Sequence, residues 1–89
     1  MKRRDLLSVK KWHVGGVDWH VKELYVMPSG DEAGECNSIS CTIHRMKAMP
    51  RTMKIRTTVH ELAHALGLDE GAAAIAELIT GVLIDHKVL

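Results

Sequence analysis

Two histidines and a glutamate stand close together in the run Thr58-Val59-His60-Glu61-Leu62-Ala63-His64-Ala65-Leu66-Gly67. Residues four apart on an α-helix project from one face. His60 and His64 can therefore share a divalent ion at about 2.0–2.1 Å from each imidazole nitrogen, with Glu61 beside it. A Zn²⁺ held in this way lowers the pKa of a bound water, and a neighbouring carboxylate takes the proton as that water attacks an amide carbonyl. Five consecutive positions thus offer two metal ligands, His60 and His64, and a general base, Glu61. So short a pattern also arises by chance on a polar helix face. Its setting sharpens it: apolar Leu62 and Ala63 fill the intervening positions, and Gly67 follows His64 by three.

The pattern needs a helix to present it, and the surrounding residues predict one. Pro50 can open a helix, because its missing N–H is not needed in the first turn. Ile55, Val59, Leu62 and Leu66 then recur at i, i+4, i+7 and i+11 as a core-facing stripe, and Gly67 is a natural stop. At roughly 100° per residue the two histidines lie about 160° around the axis from that stripe, free to face a cleft. Asp69 can cap a second helix running to about Asp85. Ile75, Leu78, Ile79 and Val82 form its bulky face, and Ala73, Ala74, Gly81, Glu70 and Glu77 form the other. Upstream, Trp12 and Val14 lead into a Gly15-Gly16 turn, and Val17, Trp19 and Val21 alternate with polar residues as a half-buried strand. The alternation shifts phase at Lys22 and Glu23 and resumes with Leu24 and Val26, which suggests a bulge in a strand over residues 17–27. Residues 28–35, rich in Pro, Ser, Asp and Gly, read as a loop. Ile39, Cys41 and Ile43 then point one way and Ser38, Ser40, Thr42 and His44 the other, as a further strand. Trp12, Trp19 and Tyr25 all fall in the strand half, so both helices are expected to pack on the sheet. The reading is an α+β fold in one domain, residues 1–89: a small antiparallel β-sheet, a site-bearing helix and a C-terminal helix.

With these residues in place, the chain resembles the zincin metallopeptidases. It is most similar to very small gluzincin-like proteins often encoded by phages, in which a hairpin precedes a helix bearing HE-x-x-H-A-L and a short acidic turn leads to a last helix. The resemblance spans residues 34–83. Gly34-Glu35-Cys36-Asn37 and Thr42-Ile43-His44 look like the preceding strand, and His60-Glu61-Leu62-Ala63-His64-Ala65-Leu66 like the active-site helix. It implies zinc-dependent hydrolysis of a peptide bond, with His60 and His64 as ligands and Glu61 as general base. The third ligand departs from the pattern, because a gap-free placement puts Ala72 and Ala73 where the related proteins carry paired acids. Two acids flank that gap. Leu68-Asp69-Glu70 resembles the family's apolar-acid-acid turn, and His60 to Glu70 has a compact metzincin-like spacing that Gly67 could accommodate. Glu77 has level in its favour: a last helix folding back antiparallel brings residues near 76 opposite the histidines. Either acid could instead be a solvated helix residue, and Glu70 suits a helix N-terminus in any case.

Composition excludes several other classes. Of 89 residues 46 % are hydrophobic and 26 % charged, which argues against disorder or a disulfide-packed toxin. The longest uncharged stretch near the C-terminus, residues 78–84, falls far short of the ~20 needed to cross a bilayer. Met1-Lys2-Arg3-Arg4 starts like a signal peptide, but Asp5, Lys10 and Lys11 interrupt any apolar segment, so a cytoplasmic protein is expected. The net charge of +1 hides basic runs: Lys2, Arg3, Arg4, Lys10 and Lys11 at the start, and Arg45, Lys47, Arg51, Lys54 and Arg56 in residues 36–60, which hold no acid. No nucleic-acid motif accompanies them, and solvated faces are the simpler reading. The expected partner is a peptide or protein substrate, neither membrane nor nucleic acid. Cys36 and Cys41 would point to opposite faces of one strand and so stay free thiols; with His44 they make only three ligands at odd spacing for a second metal. His13, His20 and His86 are isolated, and Ser8, Ser29, Ser38 and Ser40 lack any nucleophile context. An extended substrate could add to an edge strand, Ile39 to His44 or residues 17–27. The alternative to an enzyme is a catalytically inactive zincin-fold binding or structural module, conceivably part of a phage assembly.

Overall fold

The computed structural model describes residues 5–28 and 32–89; the basic start at residues 1–4 and Ser29, Gly30 and Asp31 of the expected loop lie outside it. A 3-10 turn at Leu6–Ser8, capped by the Asp5 side chain, leads into β1 (Lys11–Val14). Gly15 and Gly16, both at positive φ, make the tight turn to β2 (Val17–Leu24), which pairs antiparallel with β1. A hairpin of β3 (Gly34–Asn37) and β4 (Thr42–Met46) follows, then α1 (Arg51–Ala65) and α2 (Glu70–Asp85). Strands followed by two helices give the α+β arrangement read from the sequence. Among the described residues no helix is long and apolar enough to cross a membrane.

The sheet is mixed where an antiparallel one was expected. After β2 the chain turns back through β3 before forming β4, so β4 runs parallel to β2 and slots between β2 and β3, in the order β1-β2-β4-β3. The bulge at Lys22 and Glu23 does not exist either. Register runs unbroken from His20↔Thr42 to Leu24↔Met46, and the strand ends at Leu24 with Tyr25 and Val26 exposed. Glu23 keeps the inward phase of Trp19 and Val21 because Arg45 and Lys54 meet its carboxylate, at 3.0 and 2.9 Å. Similarly, Ile39 and Cys41 are not strand residues. They lie in the β3–β4 turn, where Ile39 is solvent-exposed and Cys41 takes a φ of 51°. The turn brings Cys41 round to the same side as Cys36, against the core rather than opposite to it, and both thiols are free.

Trp19, Val21 and Ile43 form the buried centre of the sheet's inner face, with Trp12, Val14, Leu62 and Ala65 packed around them. Only α1 lies on this face. Its buried residues are Ile55, Thr57, Thr58, Glu61 and Ala63, so the expected apolar stripe holds at Ile55, is partly covered at Val59 and Leu62, and fails at exposed Leu66. The stripe broadens because α1 is covered on two sides, by the sheet and by α2. The larger correction concerns α2, which packs on α1 and not on the sheet. It buries Ala73 and Thr80 and brings Gly81 against Arg56, while Ile75, Leu78, Ile79 and Val82 stay 59, 62, 56 and 57 % exposed. Small residues let the two helices approach closely, and the face that carries them also carries Glu70 and Glu77. The described members of the basic runs are dispersed among partners: Lys10, Arg45 and Lys54 on Glu23, Lys11 on Asp18, Arg51 on Asp5, Arg56 on Glu77, and Lys47 over the Tyr25 ring.

Candidate metal centre

One turn of α1 separates His60 from His64, and their rings meet edge to face with centroids 5.0 Å apart. Beyond His64 the helix closes as a Schellman turn. Gly67 at φ 89° donates to the His64 carbonyl and Leu68 to that of Ala63, a backbone path a side chain at 67 would strain. Asp69 then caps α2 through the Ala72 N–H at 2.8 Å, and this tight corner sets Glu70 back over the histidines. One Glu70 oxygen stands 2.7 Å from His60 Nε2 and the other 2.9 Å from His64 Nε2. Both imidazoles are turned the same way. His60 Nδ1 meets Glu77 Oε1 at 2.9 Å, and His64 Nδ1 meets the Leu68 carbonyl at 3.0 Å. Nδ1 of each ring is thus engaged on its far side, and both Nε2 atoms are directed at Glu70, at hydrogen-bond distance from it; a cation placed there would meet the two Nε2 lone pairs, an arrangement common to metal-ligating histidines.

The residues present fit a divalent cation. His60, His64 and Glu70 each bring a ligand atom within 4.8 Å of the others, a span that an ion about 2.0–2.2 Å from each could gather with small side-chain rotations. Two imidazoles and a carboxylate suit Zn²⁺, whose catalytic sites use three such ligands and keep a position open. Glu77 sits on the far side of His60 from this point. Its second oxygen accepts from Arg56 Nη2 at 3.0 Å, so Arg56, Glu77 and His60 form a chain that fixes the ring. The sequence offered Glu70 and Glu77 as competitors for one role; the geometry gives them different places. Arg56 was not singled out from sequence, and nothing local marks it, since its partner lies 21 residues away.

Glu61 faces the cleft from behind the histidines and is only 7 % exposed. Burial pushes its carboxyl above the ordinary value; charge on His60 and His64 opposes the rise, and Glu32 and Glu70 add to it. Burial would lower His64, but its bonds to the Leu68 carbonyl and Glu70 prevail and raise it. The cleft, about 550 Å³, runs between α1, α2 and β3, with Glu32, Gly34, Cys36 and Ser38 along its strand side. Gly34 is a requirement here. A Cβ at this position would collide with the Thr57 methyl and come within 3.2 Å of the Glu61 side chain, so only glycine lets β3 lie against the helix at Glu61.

The strand beside the cleft is therefore β3. Neither segment expected to hold an added peptide is an edge strand of the sheet: β4 is paired on both sides, and β2 pairs with β1 over residues 17–20 and with β4 over residues 20–24. The free edge of β3 can be read from its register. Met46 N–H bonds to the Ala33 carbonyl, so alternation makes Glu35 with His44 and Asn37 with Thr42 the other exchanging pairs. The N–H and C=O groups of Gly34 and Cys36 are thus directed outward over the cleft. Among the described residues Cys36, Cys41 and His44 do not gather into a group that could hold an ion; burial, with Glu61 and Cys41 adding, pushes the Cys36 thiol up to about 11, and His44 Nδ1 meets Glu35 Oε1 at 3.1 Å. Elsewhere His13 pairs with Asp18 at 2.9 Å on the outer face of the sheet. No protein-family model, no curated protein and no solved structure matches this chain.

Proposed function

We propose that this protein is a minimal zinc-dependent metallopeptidase that cleaves an extended peptide laid along β3. One observation carries the reading: two Nε2 atoms and a carboxylate converge beside a buried glutamate, with both Nδ1 atoms already engaged. His60, His64 and Glu70 would hold the ion, which when bound supplies a Lewis acid and a water of lowered pKa.

The chain's own residues account for the rest. Gly34 and Cys36 offer backbone donors and acceptors to a substrate strand, which places its carbonyls over the cleft rather than in solvent. Glu61 takes a proton from the attacking water and returns it to the leaving nitrogen as the C–N bond breaks, so it ends each cycle as it began. Its burial favours this work by bringing the carboxyl's proton affinity nearer to that needed at neutral pH. Glu77, backed by Arg56, and the Leu68 carbonyl hold the two imidazoles in their tautomers.

The test is zinc content per chain of protein purified without added metal, followed by cleavage of a peptide library. About one zinc per chain is expected for the wild type. Glu70→Ala should lose it and Glu77→Ala should keep it more weakly. Glu61→Gln should retain zinc and fold while cleavage falls about 10²–10⁴-fold. Zinc retained by a wild type that cleaves nothing would leave a metal-stabilised binding module. A wild type that takes up no zinc even when it is offered would end the proposal.

A further inference from the structure

The face of α2 turned away from α1 is apolar from Ile75 to Val82, and among the described residues nothing covers it. Ile75, Leu78, Ile79 and Val82 are each more than half exposed, although they are the bulkiest residues of the helix. The four present on the order of 450 Å² of surface, and Leu83 one turn beyond Ile79 brings it to about 500 Å², toward the upper end of the largest patch found on ordinary monomers. A stable interface takes about 800 Å² from each partner, which the polar flanks of the same helix can complete. We infer that this face binds a second copy of the chain, α2 against α2 in antiparallel order.

A second copy is favoured because the face is complementary to itself. An isologous two-fold placed between Leu78 and Ile79 sets Leu78 against the second copy's Ile79 and Ile75 against its Val82, closing the patch with no apolar remainder at the centre. The same register brings the ends together with opposite signs. Asp69, just before one helix, lies near His86 and Lys87 at the end of the other, and Asp85 lies beside the second copy's helix N-terminus, where negative charge is favoured. Helix dipoles run antiparallel as well. The pairing leaves the cleft open, since Glu70 and Glu77 point to α1. It would also brace the helix that supplies both acids, so metal affinity should rise with protein concentration. The inference does not depend on whether the cleft hydrolyses peptides.

Sedimentation equilibrium of the full chain from about 1 to 200 µM tests it. The expected result is a monomer–dimer equilibrium between the 9.9 kDa chain and twice that mass. Leu78→Glu should raise the dissociation constant more than about 100-fold, because two buried carboxylates would face an apolar surface. Lys87→Glu, at the rim, should raise it about 3-fold. Leu78 is largely exposed in the single chain, so circular dichroism should show the helices intact; Val82→Lys is the second variant should Leu78→Glu not fold. A wild type that stays monomeric throughout, leaving the face to a different protein, overturns the inference. So does association that continues past two copies, or a dimer indifferent to both Leu78→Glu and Val82→Lys.

Discussion

Helix α1 carries two polar clusters little more than a turn apart, and they are built on opposite plans. In the first, a cation sits at the centre. Arg45 is 1 % exposed, and each arm of its guanidinium has an acceptor: Glu23 from Nε, Thr58 Oγ1 from Nη1 and the Leu7 carbonyl from Nη2, at 2.9–3.0 Å. Sheet, helix and N-terminal turn are thereby joined. In the second cluster the centre is a meeting point of atoms able to hold a cation, the two Nε2 atoms and the Glu70 carboxylate, with Glu61 lining the same cleft. Among the described residues no Lys or Arg lies within ion-pair distance of Glu61, whose neighbouring positive charge is that of the imidazoles His60 and His64, and Arg56 is engaged by Glu77. A cluster whose donors and acceptors balance holds a fold together, whereas one whose acceptors converge is suited to a ligand that supplies the positive charge.

The comparison breaks most readily at Arg45. Arg45→Ala should cost about 3–5 kcal/mol, because a fully buried side chain and its bonds to Glu23, Thr58 and the Leu7 carbonyl are lost together, leaving a void and Thr58 without its donor. A domain of this length has a total stability of about 4–13 kcal/mol, so urea denaturation should show a variant close to unfolded. Next in size is the contrast at Glu61. Glu61→Gln is expected to leave the urea midpoint unchanged or slightly higher while removing cleavage, since a buried acid with no Lys or Arg paired to it adds little to the fold. A large loss of stability in that variant would erase the distinction between the two clusters.

The part of this arrangement that sequence revealed is the part made by short-range rules. Four-residue spacing put His60 and His64 on one face, Gly67 ended the helix at a positive φ, and Asp69 capped the next helix. These together fix Glu70, six residues from His64. What escaped depended on partners far along the chain. Glu23 looked like a phase error because Arg45, which justifies its inward position, lies 22 residues away. The hydrophobicity of α2 pointed to Ile75, Leu78, Ile79 and Val82 as its inner face, yet the acids and small residues opposite must face α1 for Glu77 to reach His60. Edge strands were misassigned for a similar reason: amphipathic alternation reports which side of a strand is wet, not which strands flank it. The significance of Gly34, a glycine after a loop, became visible only once β3 lay against Glu61.

A smaller effect sharpens the comparison within the proposed metal centre itself. Glu77 touches His60 on the side away from the ligand atoms, so it acts through the ring. Glu77→Gln should weaken zinc binding about 10–100-fold, measured by competition with a chromophoric chelator, with the stoichiometry unchanged. Abolished binding would instead make Glu77 a ligand and displace Glu70 from that role.

The smallest expected effect returns to the first cluster and is read through pH. Burial by itself would raise the Glu23 carboxyl, but hydrogen bonds and charge from Lys54 and Arg45 outweigh it and hold the group below its ordinary value. A carboxyl depressed in the folded state contributes stability that is fully present above the unfolded pKa, about 4.3 for glutamate, and that disappears as pH falls through the folded value. Glu23→Gln removes that contribution at every pH. The urea-derived stabilities of wild type and Glu23→Gln should therefore differ by a constant amount, about 1 kcal/mol or less, from pH 7 to 5, and the gap should close as pH is lowered toward 3. Asp5 and Asp18, whose carboxyls are also held low by their own partners, titrate in the same range but are common to both proteins and cancel in the difference. If the two stability curves stayed parallel down to pH 3, Glu23 would not be balancing Arg45 and Lys54, and the claim that this cluster is closed on itself would fail.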